Sequence, residues 1–221
     1  MHFSRYARTK ANGGNVMKKL FWLLPVVLFL GACGSNATDT DKVNNSESIA
    51  QSSESLEPNQ NQETKDLGKS LIVYYSLTEN TKAVAEEIQK QVNGELMRIE
   101  TVEPYPEVYD EVLDVVEAQR EAGELPTIVK QDVDLSDYDS IFLGTPIWFG
   151  EPALPMEKWI SENELAGKRI YPFFTSGSSS INESMERYRE LLDQSTLSEG
   201  LGITSSDRSQ TASLVKEWLA P

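Results

Sequence analysis

Cysteine and histidine are almost missing from this 221-residue chain, which has one of each, Cys33 and His2. The body of the sequence therefore has no disulfide, no Cys/His metal site, no thiolate nucleophile and no imidazole base. Long apolar runs are scarce as well. The most extended, Leu20 to Leu30, is about half of the ~20 residues that a membrane-spanning helix needs, and Pro25 interrupts it. Basic charge is also short. Residues 70–221 carry 12 Lys+Arg against 28 Asp+Glu, whereas residues 1–69 are nearly balanced at 8 against 7. So acidic a body repels nucleic acid and anionic headgroups at long range, which argues against a nucleic-acid function. An acidic surface serves solubility in the ordinary case and docking of a basic partner in the rarer one. With so few reactive side chains, demanding chemistry falls to a cofactor.

The first third reads as an address and a tether. Met17-Lys18-Lys19, the apolar run and the small residues Gly31-Ala32-Cys33-Gly34 form the three parts of a secretory signal. Leu30-Gly31-Ala32-Cys33 resembles a bacterial lipobox. That resemblance implies that residues 1–32 are a signal peptide, that Cys33 is lipidated, and that the mature chain is anchored to the outer face of a bacterial membrane. An ordinary signal peptide with a chance cysteine is the alternative. Residues 1–16 lie outside the pattern, and a start at Met17 fits it better. Residues 33–67 are mostly Ser, Asn, Gln, Thr, Asp and Glu, too polar to bury the surface that would offset their ordering entropy. A flexible tether of about 34 residues has a typical span of roughly 30–35 Å.

From about Gly68 onward strand and helix patterns alternate. Ser70 to Ser76 is a β-branched and aromatic run, followed by Val84, Ile88 and Val92 at helical spacing. Glu95 to Ile99 is a second strand, and Val108, Val112, Val115 and Val116 mark a second helix. Ser140 to Gly144, with Thr145, is a third strand, and Met156, Trp159 and Ile160 open the helix after it. Arg169 to Thr175 is a fourth, trailed by Ile181, Met185, Tyr188 and Leu192. A weaker fifth strand near 197–204 precedes Leu214, Val215, Trp218 and Leu219. Five strands alternating with helices predict an α/β domain over 68–221, a parallel sheet covered on both faces. Right-handed crossovers bring the loops 76–81, 145–151 and 175–180 to the carboxyl edge, where such folds bind ligands.

The first loop, Ser76-Leu77-Thr78-Glu79-Asn80-Thr81, crowds hydroxyls and backbone N–H groups at a helix start, which suits a phosphate or, equally, a simple helix cap. It resembles the first loop of the flavodoxin family, with Ser76, Thr78, Asn80 and Thr81 matching and Glu79 standing where the family commonly has glycine. A non-glycine residue there is strained if the backbone is left-handed, and its carboxylate costs Coulomb energy beside a phosphate unless it turns away. Pro146-Ile147-Trp148-Phe149-Gly150 resembles the loop of a short bacterial flavodoxin-like subfamily that lies along the flavin ring. Thr175-Ser176-Gly177-Ser178 resembles its Thr-Ser-Gly segment. Without a ligand, Trp148 and Phe149 would pack on the following helix and the third loop would be a plain turn. Pro104 to Tyr109 resembles the subfamily too, its tyrosines as well suited to core or cap as to ligand contact, and they are left out of the expected site.

The resemblance covers residues 69–220. It implies a flavodoxin-like three-layer sandwich with a five-stranded parallel sheet of order 2-1-3-4-5 and FMN as cofactor. It also implies electron transfer to an unidentified redox partner protein. Phosphate binding is expected of Ser76, Thr78, Asn80, Thr81 and the Glu79 backbone, ring contact of Pro146 to Gly150, and the ring edge of Ser176 to Ser178, with Thr175 also in the cofactor site. An FMN-dependent NAD(P)H quinone or flavin reductase, and a binding module that has lost its flavin, are the other readings.

Overall fold

In the computed structural model the described residues are 65–221. The signal segment, Cys33 and most of the polar tether lie outside them. A family of parallel strands starts with β1 (Ser70–Tyr74), buried along its whole length as its run of apolar residues requires. It is followed by α1 (Asn80–Val92), β2 (Glu95–Arg98) and α2 (Tyr109–Ala122). Next come β3 (Ser140–Trp148), the two-residue β4 (Glu151–Pro152), α3 (Leu154–Glu162), β5 (Arg169–Ser176) and α4 (Asn182–Leu191). The chain closes with β6 (Thr196–Leu197), β7 (Leu201–Thr204) and α5 (Thr211–Trp218).

The sheet runs β2-β1-β3-β5-β6, with β7 also paired to β5 and β4 to β3. This is the expected 2-1-3-4-5 path, with two differences. The fifth strand is split, because β6 pairs with Arg169 and Ile170 while β7 pairs with Phe173 to Ser176. The third strand does not stop at Thr145. It continues to Trp148 and turns back antiparallel through β4, pairing Trp148 with Glu151 and Ile147 with Pro152. The segment 146–152 is thus a hairpin tip rather than an open loop. Alternation along a strand gives each face a core. Leu71, Val73, Ile141 and Leu143 meet Val112 and Val116 of α2, Met156 and Trp159 of α3, and Met185 and Tyr188 of α4. Ile72, Phe142 and Phe173 meet Val84, Ala85 and Ile88 of α1 and Val215 of α5. Val108 and Val115, predicted on the buried face of α2, are exposed. Among the described residues no helix is long and apolar enough to cross a membrane, and no cluster of His, Cys, Asp and Glu could hold a metal ion.

A cleft at the carboxyl edge of the sheet

Beyond the end of β1, Tyr75 N still donates to Gly144 O at 2.9 Å, and the chain then breaks into the turn that opens α1. Ser76 is buried and its Oγ accepts the Lys82 N–H at 3.3 Å, satisfying one donor of the first turn of the helix. Asn80 Nδ2 donates to Thr78 Oγ1 at 2.9 Å. Thr81 is also buried, its Oγ1 2.8 Å from Thr175 Oγ1. The backbone N–H groups of Thr78, Glu79, Asn80 and Thr81 have no hydrogen-bond partner among the described residues. Four free donors at a helix start form a cradle for an anion.

Glu79 is left-handed, with φ of 60°, a conformation that favours glycine. Its carboxylate is 51% exposed and lies 2.8 Å from Lys82 Nζ and 2.8 Å from Arg98. The same Arg98 nitrogen donates to Ser76 O at 2.8 Å. Hydrogen bonds from Lys82 and then Arg98 hold the Glu79 carboxyl below the usual carboxylate range. The charge that stands at the cradle is therefore directed to two cations, one of them delivered from the end of β2.

In the hairpin tip the two central residues, Phe149 and Gly150, have φ of 53° and 84°. Positive φ at both positions is the two-residue turn that matches strand twist. Ser184 Oγ donates to Gly150 O at 2.8 Å, and a Cβ at Gly150 would run into the Glu183 carboxylate. Arg120 of α2 pairs with Glu151 and donates to Pro152 O. The tip is thus pinned to α2 and α4.

The two aromatics of this tip part company. Trp148 is 4% exposed and belongs to the core, its ring edge-on to Tyr75 at 5.6 Å and to Tyr105 at 5.0 Å. Burial pushes the Tyr105 hydroxyl up to about 12, with Gln119 Oε1 accepting its proton at 2.7 Å. Phe149 is 54% exposed and is not among the residues that line the cleft. The expected pair of ring-facing aromatics becomes one buried indole with an edge on the cleft and one solvent-facing phenyl. The reason is the turn, which sends successive side chains to opposite sides.

These parts enclose a cleft of about 370 Å³. Of the residues singled out in the sequence, Thr78, Asn80, Pro146, Ile147, Trp148, Thr175, Ser176 and Gly177 line it. Ser76, Glu79, Thr81, Phe149, Gly150 and Ser178 do not; all but Ser178 cap, brace or turn the segments that do. Tyr109, at the start of α2 and left out of the expected site, lines the cleft too, and sequence reading missed the loop after β7, which contributes Thr204, Ser205 and Arg208, with Thr211 behind it. The topology that picks out the other loops picks out this one as well, but the broken fifth strand hid its end.

Comparison with known proteins agrees with this geometry. A family model described as Flavodoxin matches residues 69–220. The crystal structure of a flavoprotein in complex with FMN from Lactobacillus acidophilus NCFM is 25% identical, with a TM-score of 0.56, over 65% of this chain and 98% of that one. A Bacteroides eggerthii DSM 20697 protein assigned as a flavoprotein is 25% identical, with a TM-score of 0.60, over 69% and 99%. The apo-form of the Lactobacillus flavoprotein, determined by NMR, is 24% identical, with a TM-score of 0.52, over 68% and 96%. No curated protein matches the sequence significantly.

Proposed function

The chain belongs to the flavodoxin family, matching it over residues 69–220, and from that membership we propose that the carboxyl-edge cleft holds FMN and that the protein is an electron carrier. The observation that carries this reading is the run of unpaired N–H groups at residues 78–81, of which Thr78 and Asn80 line the cleft. They offer a phosphate dianion the donors it needs, and the side chain of Glu79 is held away by Lys82 and Arg98. Pro146, Ile147, the edge of Trp148 and Tyr109 supply an apolar wall suited to a flat heterocycle. Gly177, where an added Cβ would meet nothing, leaves room for a close approach of backbone to the ring edge. The donor set and the shape both fit the group.

Bound FMN supplies reversible electron storage, which no side chain in the cleft provides. What the chain contributes is positioning, exclusion of water by the buried Trp148–Tyr75–Tyr105 cluster behind the wall, and electrostatics. The body, at 12 Lys+Arg against 28 Asp+Glu, resists added negative charge in the cleft and so favours the oxidised cofactor.

Two further parts of the reading concern place and partner. The lipobox-like Leu30 to Cys33 supports attachment through Cys33 to the outer face of a bacterial membrane. The partner is a second redox protein. The test is titration of the purified chain with FMN, followed by flavin absorbance and fluorescence. Saturable binding is expected; a chain that binds none is the binding module instead. Steady oxidation of NAD(P)H with a quinone acceptor would replace the carrier with a reductase.

A further inference from the structure

One charged side chain lines the cleft, Arg208, and it comes from the loop after β7. In a body with more than twice as many acidic as basic residues, a lining with a single cation and no carboxylate is a local reversal of sign. The other two cations near the cradle are engaged, Lys82 and Arg98 both lying 2.8 Å from the Glu79 carboxylate. Arg208 has no carboxylate partner among the described residues, and its guanidinium makes one long hydrogen bond, to Ser205 Oγ at 3.4 Å. The carboxylate next to it in sequence is turned inward, Asp207 Oδ2 accepting the Thr204 N–H at 2.9 Å and the Thr204 hydroxyl at 2.5 Å. That bond set fixes the turn from which Arg208 projects. On the cleft wall, Ser205, Arg208 and Thr211 stand with Thr78, Asn80 and Ala83, the residues of the α1 start that carry or adjoin the free N–H groups.

We propose that Arg208 contacts the phosphate monoester of bound FMN and is the residue that distinguishes FMN from riboflavin by charge. The proposal rests on the FMN reading of the cleft. The cradle at 78–81 is neutral, and N–H groups alone bind a phosphate by geometry. A guanidinium adds a full positive charge and a planar pair of donors, which match phosphate oxygens well. The Glu79 substitution gives this role a reason. By occupying Lys82 and Arg98, the carboxylate leaves the anion's charge to be met from the opposite side, and the loop after β7 meets it.

The test uses the full chain in mild detergent, as wild type, Arg208→Gln and Arg208→Lys, titrated with FMN and with riboflavin by quenching of flavin fluorescence. For Arg208→Gln the expected result is about a tenfold loss of FMN affinity with riboflavin affinity unchanged. The Arg208→Lys variant should recover part of the loss, since it keeps charge without the planar fork. In wild type the preference for FMN over riboflavin should fall as salt rises, and in Arg208→Gln that salt dependence should shrink. Equal losses for both ligands, or FMN affinity unchanged in Arg208→Gln, overturns the assignment of Arg208 while leaving the FMN site standing. A wild type that binds neither ligand overturns the FMN reading and this inference with it.

Discussion

Thr81 and Thr175 share one hydrogen bond between their hydroxyls, 2.8 Å long and buried, that ties the first turn of α1 to the end of β5 beneath the cleft. Two loops far apart in sequence are thereby held in register by a pair of buried side chains, of which Thr175 also lines the cavity. Thr175→Val removes one hydroxyl and leaves the other buried without a partner, which costs about 1–3 kcal/mol. Thr81→Val with Thr175→Val removes both and should recover most of that loss. Urea midpoints of the two single variants and the double variant check it; additive losses would mean that the hydroxyls act independently.

Glu79 is strained by its left-handed backbone and occupies two cations. Glu79→Gly relieves the strain and frees Lys82 and Arg98 close to the proposed phosphate site, so FMN affinity should rise by a few-fold, most clearly at low salt. Glu79→Ala frees the same cations but keeps the strain, so it should bind FMN well and melt lower than Glu79→Gly. Fluorescence titration and thermal melts of both variants test the separation. A fall in affinity for Glu79→Gly would show that the Glu79 brace on Arg98 is what shapes the cradle.

The same carboxylate gives a pH signature. Its folded pKa lies below the ordinary 4.5, lowered first by Lys82 and then by Arg98. Stability from this group is therefore complete above that ordinary value and is lost as the pH falls through the lowered one. The difference in urea midpoint between wild type and Glu79→Gln should be constant near neutrality and shrink below about pH 4.5. A difference that grows toward acid would reverse the sign and remove the ion pairs as its cause.

Trp148 and Phe149 should behave oppositely. Trp148→Ala deletes a buried indole between Tyr75 and Tyr105 and should cost about 3–5 kcal/mol in stability, along with FMN binding. Phe149→Asn places the favoured Asn-Gly pair in a turn whose central residues already have positive φ. It should stabilise the fold by about 1 kcal/mol and leave FMN affinity unchanged. Denaturant unfolding and flavin titration of both variants decide this; a stable Trp148→Ala that merely binds FMN more weakly would make the indole a ligand contact above all.

Much of this architecture is legible in the sequence, and the gaps have physical causes. Ser70–Tyr74 and the helical spacing of Val84 and Ile88 announce themselves, because burial on a strand or a helix face imposes its own period. The three loops follow from handedness alone. The β3–β4 hairpin does not, because Phe149 is a poor choice for positive φ and the turn is set by pairing of Trp148 with Glu151. Nor does the partner of Glu79, since Arg98 is brought to it by the parallel pairing of β1 with β2 rather than by any local pattern. Arg208 stayed hidden behind a strand broken into two short pieces.

Cys33 is the only cysteine, in a lipobox-like setting. Cys33→Ser should leave the protein unprocessed or released from the membrane. Cell fractionation and a lipid label read this directly; a variant processed and sedimenting with membranes as wild type does would refute lipidation.

The two ends of the described domain come together at the edge of the sheet opposite the cleft. Lys65 Nζ reaches Trp218 O at 3.1 Å there, and β1, which starts at Ser70, is spent by the time the first cleft loop begins. A strand of five or six residues puts about 17–20 Å of packed protein between the two poles. A resin, an electrode or a fusion partner joined at Lys65 or at the carboxyl terminus therefore grips the domain from behind and presents the cleft outward.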